Sequence, residues 1–179
     1  MEKSENIVAK LEIYEKNISE EKKDVEHQEA IAARMYFQEL FGKKFKRFND
    51  DGINSALNYG YALLRSLISS KIVAKGFHPS LGIHHKSQFN NYNFADDIIE
   101  IFRPMVDYVV YFNQKEEAEL SKELRQNLLL ILTQKVYWKN KKYELSQVID
   151  YFLDNIRNYF IDENTKIEIP ELRIDDYEY

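Results

Sequence analysis

The segment 76–104, GFHPSLGIHHKSQFNNYNFADDIIEIFRP, gathers imidazoles, amides and carboxylates where an apolar helical pattern begins. His84 and His85 precede Asp97 and Glu100, which lie one turn apart on the predicted helix. Imidazole nitrogens and carboxylate oxygens together suit Mg²⁺ or Mn²⁺. A second interpretation stays open, in which a polar loop precedes a helix with a solvated acidic face and Glu100 pairs with Arg103.

The helix predicted over 25–42 carries a carboxylate on its apolar side. From Glu29, steps of three and four lead to a stripe of Ala32, Ala33, Tyr36, Phe37 and Leu40. A carboxylate among apolar neighbours needs a cation, a hydrogen-bond donor or a metal, because an unpaired buried charge is costly. The alternative is a first-turn glutamate that the helix dipole favours. No fixed motif such as H-E-x-x-H is present, so the spacing alone leaves both interpretations open.

The formal net charge of −5 conceals a strong asymmetry along the chain. Residues 1–29 carry five Lys or Arg against nine Asp or Glu, and residues 87–179 carry eleven against eighteen. Residues 30–86, in contrast, carry nine against three. A positive middle third between acidic ends can present one basic face to a polyanion, although charge runs are also typical of solvated helix faces.

The densest basic run, KKFKR at 43–47, follows the helix that carries Glu29. Its cations are Lys43, Lys44, Lys46 and Arg47, with Phe45 between them, and Arg34 lies on the preceding helix. Such groups suit phosphate contacts, which position a nucleic acid without reading its sequence. A solvated turn after a helix would have the same composition, so the run by itself leaves this question open.

Bulk composition indicates a globular protein. The 179 residues are 44% hydrophobic and 14% aromatic, which favours a packed core over disorder. The absence of cysteine excludes disulfides and thiolate metal sites and suits a reducing compartment. No run approaches the roughly 18 apolar residues of a membrane span, and MEKSENIVAK lacks the apolar core of a signal peptide. We therefore expect a soluble, cytoplasmic protein.

Helical periodicity covers most of the chain, and Gly and Pro are scarce, which predicts an all-α fold of about six helices. We place these helices at 4–17, 25–42, 52–75, 93–112, 116–135 and 145–161. Gly42 and Gly76 follow two of them directly, as C-terminal cap glycines do. Gly60, inside the third helix, should permit close packing against a neighbouring helix.

The remaining segments are short. Residues 139–145 read as a turn or a strand pair, and the tail from 167 alternates like an extended segment in which Pro170 excludes a helix. For domain organisation, we expect a leading helix and linker at 1–24, followed by one helical domain at 25–179.

Four blocks of sequence carry a family resemblance. They are EAIAARMYFQELFG (29–42), NSALNYGYALLRSLISSKIVAKGF (54–77), LGIHHKSQFNNYNFADDIIEIFRPMVD (81–107) and IPELRI (169–174). In this order and spacing they resemble the C-terminal helical domain of the CRISPR-associated integrase family of spacer acquisition, type II subgroup. The resemblance runs from Glu26 to Ile174. That family also has an N-terminal β-rich domain, which matches nothing here, so the resemblance implies that this chain alone is a weak or inactive integrase.

The resemblance implies a metal-dependent DNA endonuclease and integrase, which joins the 3′-hydroxyl of foreign DNA to the repeat by phosphodiester transesterification. It implies that Glu29, His85 and Glu100 are catalytic and bind one Mn²⁺ or Mg²⁺, with Asp97 as a secondary acidic position. His85 is preferred to His84 because the family's histidine directly precedes the run that reads KSQFN here.

The resemblance also implies partners. Double-stranded or branched DNA would be bound by the basic set of Arg34, Lys43, Lys44, Lys46 and Arg47. A homodimer and a small CRISPR-associated protein that bridges integrase dimers would complete the assembly, without a membrane. The alternative is a catalytically silent helical module, left by truncation, that binds DNA or protein.

Overall fold

The computed structural model describes residues 25–113 and 120–173. They form five α-helices, a 3₁₀ turn and a two-stranded hairpin, which confirms the predicted mainly helical fold. The chain divides into two compact units, residues 1–50 and 51–179. The helix predicted at 4–17 lies outside the described residues.

The first unit is built on helix α1 (Val25–Phe41). Gly42 follows the helix with φ of +97°, a left-handed conformation that favours glycine, which confirms the predicted cap. The Phe45 N–H then donates to the Gly42 carbonyl at 2.9 Å, and the chain turns back. The Phe45 ring lies 5.9 Å from that of Phe37 and 5.0 Å from that of Phe41. This aromatic cluster anchors the basic run that follows the helix.

The core of the second unit forms around helices α2 (Gly52–Ala74) and α3 (Asn93–Asn113). A Cβ on Gly60 would overlap the Val106 side chain, so only glycine lets the two helices approach this closely, as predicted. Pro104 lies inside α3, which continues through it. The side chains that fill the interface are fully enclosed, among them Leu57, Leu64, Ile68, Ile99, Phe102 and Met105.

Helix α4 (Lys122–Leu130) is shorter than predicted. The helix expected over 116–135 is wrong beyond Leu130, where a 3₁₀ turn (Ile131–Thr133) ends it. Aromatic and β-branched residues follow in KVYW, and these favour a strand over a helix. Residues 114–119, where the prediction began, lie outside the described residues.

Strands β1 (Lys135–Trp138) and β2 (Lys141–Glu144) pair antiparallel, which confirms a strand pair as the interpretation of this region. Helix α5 (Leu145–Ile161) begins directly after β2, with a capping box formed by Glu144 and Gln147. The described part of the tail, residues 167–173, contains no helix, as predicted. It returns to the hairpin through an isolated bridge between Tyr137 and Glu171.

No helix in the described ranges is long and apolar enough to cross a membrane.

Candidate functional site

The loop between α2 and α3 is ordered by its own main chain and by the start of α3. Gly76 opens it with φ of +81°, which confirms the second predicted cap glycine. The Phe94 N–H donates to the Pro79 carbonyl at 2.7 Å. The Asn93 side-chain amide donates to the carbonyls of Ser80 and Ser87, at 3.1 and 2.8 Å. These bonds fold the loop over the first turn of α3.

Asp97 is the centre of the site. Its carboxylate accepts the main-chain N–H groups of Ile83, His84 and His85, at 2.5, 3.1 and 3.0 Å. The His85 ring adds a fourth bond, from Nδ1 to Asp97 Oδ1 at 2.6 Å. One side chain therefore holds both the path of the loop and the orientation of the imidazole. The sequence placed Asp97 only at the edge of the site.

The charge of Asp97 follows from these bonds. Burial by itself raises the pKa of the Asp97 carboxyl, whose side chain is 8% exposed. The hydrogen bonds from His85, His84 and Ile83 outweigh burial, so the pKa lies below its ordinary value. Asp97 is therefore a carboxylate at neutral pH and acts only as an acceptor.

The ionised carboxylate determines the tautomer of His85. An acceptor at Nδ1 requires the proton to be on that nitrogen, which leaves the lone pair of a neutral ring on Nε2. The His85 side chain is 41% exposed, and its hydrogen bonds in the described part of the chain use only the main-chain N–H and Nδ1. A carboxylate behind a histidine that presents its other nitrogen is the usual environment of a metal-binding imidazole.

Gly82 makes this arrangement possible. A Cβ at this position would overlap the His85 carbonyl oxygen and come within 2.8 Å of the Asn93 Cβ and 2.9 Å of Asp97 Oδ2. The loop can therefore wrap around the Asp97 carboxylate only if this residue has no side chain. No role is predicted for Gly82 from the sequence, because a close approach between a loop and a helix has no signature in residue spacing.

An ion pair between the buried Asp96 and the half-exposed Arg65 supports the same loop. Asp96 is 6% exposed and accepts from Arg65 Nε at 2.7 Å and from Arg65 Nη2 at 2.5 Å. Its second oxygen accepts from the Asn90 side-chain amide at 2.7 Å. Arg65 also lies over the Tyr92 ring, 5.6 Å from the centroid. Adjacent carboxylates thus serve different purposes: Asp96 joins loop and helices, and Asp97 holds the histidine.

Glu100 lies one turn beyond Asp97, on the exposed side of α3. It pairs with Arg103 at 3.0 Å, as the solvated-face interpretation predicted. Arg103 in turn lies over the Tyr61 ring at 5.1 Å, and the Tyr61 hydroxyl donates to the buried Asp107. Asp97, Glu100 and Asp107 therefore differ in exposure, and of these three Glu100 presents its carboxylate to solvent.

The remaining predicted residues belong to the first unit. Glu29 is exposed within the first unit. Along the stripe that it shares, Ala33 is exposed and the other side chains are partly covered. Helical spacing shows which residues share a face without showing what covers them. Arg34, Lys43, Lys44 and Lys46 are exposed, and Arg47 lies over the Phe37 ring at 5.9 Å.

The three predicted ligands are thus divided between the units, with Glu29 in the first and His85 and Glu100 in the second. Within the described residues no group of three His, Asp or Glu side chains is close enough together to hold a metal ion. The donor chemistry of the second unit nevertheless fits a divalent cation, because an oriented imidazole and a solvent-facing carboxylate lie on one loop–helix unit.

Comparisons with known proteins agree with the sequence resemblance. Residues 1–137 match the family profile "CRISPR associated protein Cas1". A "CRISPR-associated endonuclease Cas1" of Neisseria meningitidis serogroup C (strain 8013) is 35% identical over 161 residues, which cover 87% of this chain and 53% of the relative. The chain therefore spans about half the length of that relative.

Two solved structures share the fold. One, "Casposase bound to integration product", has a TM-score of 0.69 at 22% identity, and the match covers 84% of this chain and 54% of the casposase chain. The other, "Cas6-RT-Cas1--Cas2 complex", has a TM-score of 0.72 at 20% identity, and the match covers 94% of this chain and 22% of the matched chain.

Proposed function

Since the chain belongs to the Cas1 family of CRISPR-associated proteins, we propose that it is a metal-dependent DNA endonuclease and integrase domain of spacer acquisition. The observation that carries this proposal is the pair His85–Asp97, in which Nδ1 bonds to a carboxylate that lies one helical turn before the exposed Glu100. An Asp whose four hydrogen bonds all serve one histidine-bearing loop suits a ligand site better than a solvated helix face.

The proposed ligands are Glu29, His85 Nε2 and Glu100, and the cation is Mn²⁺ or Mg²⁺. When bound, such an ion neutralises charge on the phosphoryl oxygens and on the departing 3′-oxygen of a phosphodiester. A set of both oxygen and nitrogen donors favours a site that accepts Mn²⁺ over a strict calcium cage, in which all ligands are oxygens.

The chain's own residues supply the positioning. Asp97 keeps the proton on His85 Nδ1, so Nε2 stays a donor of its lone pair, and the three main-chain bonds keep the loop from swinging away. Arg103 lies beside Glu100 and can move its guanidinium from that carboxylate to a phosphate, since half-exposed ion pairs are weak. Holding reacting groups to within about 1 Å matters greatly in such transfers, because looser positioning costs roughly 100-fold in rate.

The reaction needs DNA held against the site. We propose that Arg34, Lys43, Lys44, Lys46 and Arg47 contact the phosphate backbone. The exposure of the three lysines supports this, and so does the aromatic cluster that keeps their segment in a fixed turn. Among the fold relatives are a casposase bound to an integration product and a complex that contains Cas2. They support two further proposals, namely branched DNA as substrate and a small partner protein. A homodimer also belongs to this proposal.

The proposed function is tested by incubating the chain with branched DNA in Mn²⁺, in Mg²⁺ and in EDTA. We expect weak nicking or joining at a single site in Mn²⁺ and none in EDTA, because paired integration needs two active sites at a fixed separation. Cleavage that persists in EDTA would contradict metal dependence. No reaction with any metal while DNA is bound would instead favour the silent binding module.

Asp97→Asn should weaken Mn²⁺ binding by about 10–100-fold, the usual cost of losing the carboxylate behind a metal-binding histidine. The asparagine NH₂ group cannot accept, so at least one loop N–H loses its partner. Calorimetry measures the affinity, and the ¹⁵N shifts of the His85 ring report whether the proton leaves Nδ1. Asp154→Asn is the matched control. Asp154 lies on α5 and pairs with Lys75, so this variant also removes a paired aspartate, but one outside the site. Equal Mn²⁺ affinities in the two variants, with an unchanged His85 tautomer, would show that Asp97 does not position His85 for metal binding.

Replacing Lys43, Lys44 and Lys46 together with Ser should flatten the salt dependence of DNA binding. Each lost phosphate contact lowers the slope of log affinity against log salt by about 1. Arg47 is kept, because it packs on Phe37 and its loss would disturb the turn. The slope is measured by fluorescence anisotropy across a salt series, with Mn²⁺ calorimetry as the control for folding. A slope equal to that of wild type would show that the basic run at 43–47 is a solvated turn that does not contact DNA.

A further inference from the structure

The β1–β2 hairpin is a basic island in the acidic part of the chain. Its ten residues, KVYWKNKKYE, contain four lysines and one glutamate, whereas residues 87–179 as a whole carry an excess of acidic groups. Lys135, Lys139, Lys141 and Lys142 are all exposed. We call these four lysines the hairpin cluster.

The hairpin is anchored firmly on helix α5. Val136 is 2% exposed, and the Trp138 ring lies 6.4 Å from the rings of both Tyr151 and Phe152. Tyr143, opposite Val136 in the register, packs edge-on against Tyr151 at 5.1 Å. One face of the hairpin is therefore part of the core, and the cluster is held on a rigid support.

The outer face collects further positive charge around Tyr137. Lys142, its cross-strand partner, lies 5.3 Å from the ring centroid. The C-terminal tail bridges to Tyr137 through Glu171 and brings the Arg173 guanidinium to 4.0 Å from the same centroid. Glu171 pairs with Arg173 at 2.8 Å, and Glu144 lies opposite Lys135. Among residues 135–144 and the described tail residues 171–173, five cations therefore stand against two carboxylates.

The turn of the hairpin places a lysine where the backbone disfavours one. Lys139 and Asn140 have φ of 49° and 64°, the pattern of a two-residue type I′ turn. Asn, Asp and Gly are preferred at both positions, and a lysine there costs free energy. A long cation held at the tip in a disfavoured conformation is consistent with a functional requirement for its charge.

We propose that the hairpin cluster, with Arg173, binds the phosphate backbone of double-stranded DNA. The aromatic rings of the hairpin are already engaged, Tyr137 by cations and Trp138 and Tyr143 by α5. The surface thus offers charge without an apolar recess, which suits evenly spaced phosphates better than a peptide that must bury side chains. It reads no sequence, because phosphate contacts carry no base information. The inference rests on the proposed function only in taking DNA as substrate, and the metal ligands do not enter it.

The test compares two double variants for binding to a fluorescein-labelled duplex at several salt concentrations. Lys135→Ser with Lys142→Ser should lower affinity about tenfold at low salt and reduce the salt slope by about 2. Lys122→Ser with Lys166→Ser removes the same charge from exposed positions outside the hairpin and should stay within about twofold of wild type. Equal losses in the two double variants would overturn the inference, and so would a loss confined to one DNA sequence.

Lys139→Asn separates binding from folding. Asn adopts positive φ more readily than Lys, so the melting temperature should stay the same or rise while DNA affinity falls about threefold. Affinity equal to wild type would contradict a role for the tip. Polyglutamate of equal charge that displaces DNA from wild type, but not from the Lys135/Lys142 variant, would show an acidic peptide as the occupant and also overturn the proposal.

The failure of this inference and that of the proposed function give different results. If the hairpin variants lose DNA affinity but wild type shows no Mn²⁺-dependent reaction, the integrase proposal fails and the hairpin surface stands. If the reaction occurs and the hairpin variants bind DNA like wild type, the hairpin surface fails alone.

Discussion

His85→Ala is expected to weaken Mn²⁺ binding by more than about 100-fold, whereas His84→Ala should leave it within about threefold. Removing a ligand must cost more than removing the carboxylate behind it, which already costs about 10–100-fold. The two histidines form a matched pair, because each donates its main-chain N–H to Asp97 and both variants keep these bonds. They differ in the ring bond from His85 Nδ1 to Asp97, which fixes the direction of Nε2. Titration calorimetry with Mn²⁺ measures both.

A larger loss of Mn²⁺ affinity in His84→Ala than in His85→Ala would show that His84 is the ligand. The bond between His85 and Asp97 would then be structural. Equal effects would mean that the loop, and neither ring, determines affinity. Because the rings meet edge-to-face at 5.4 Å, thermal unfolding of each variant should accompany the titration to show that loss of one ring leaves the other in place.

Glu29→Ala is expected to abolish the metal-dependent reaction on branched DNA, with a fall of about 1,000-fold or to background. A divalent ion stabilises the charge of a phosphoryl-transfer transition state by several kcal/mol, and each 1.36 kcal/mol is tenfold in rate. Glu39→Ala is the control, because Glu39 is an exposed glutamate on the same helix. We expect it to react like wild type. The rate is followed by gel analysis of labelled strands under single-turnover conditions.

A Glu29→Ala variant that still reacts at the wild-type rate in Mn²⁺ would remove this residue from the site. DNA binding by anisotropy must be unchanged for the comparison to hold, since Arg34 and the basic run lie in the same unit as Glu29.

Local sequence signals predicted the scaffold well. Long runs of helical periodicity gave α2 and α3 within a residue or two, and Gly42 and Gly76 adopt the positive φ expected of cap glycines. The error after Leu130 arose because LLLILTQKVYW continues an apolar pattern that suits either a helix or a strand. There the aromatic and β-branched residues decided the outcome.

The site was predicted less completely, because its main features depend on contacts distant in sequence. Asp97 was assigned an edge position, since hydrogen bonds to main-chain N–H groups leave no pattern of residue types. The pair of Arg65 with Asp96 joins residues 31 positions apart, beyond any local periodicity. Glu29 shares a stripe with apolar residues and is nevertheless exposed, because spacing along one helix contains no information about what packs against it.

We propose that one divalent cation is bound by Glu29, His85 and Glu100. Anomalous scattering from crystals grown with Mn²⁺ and DNA tests this proposal, because its anomalous signal distinguishes manganese from the light atoms of protein, DNA and water. We expect a single strong peak in contact with the Glu29 carboxylate, His85 Nε2 and the Glu100 carboxylate, with Asp97 still bonded to Nδ1. A peak held by other residues, or one that excludes Glu29, would contradict it.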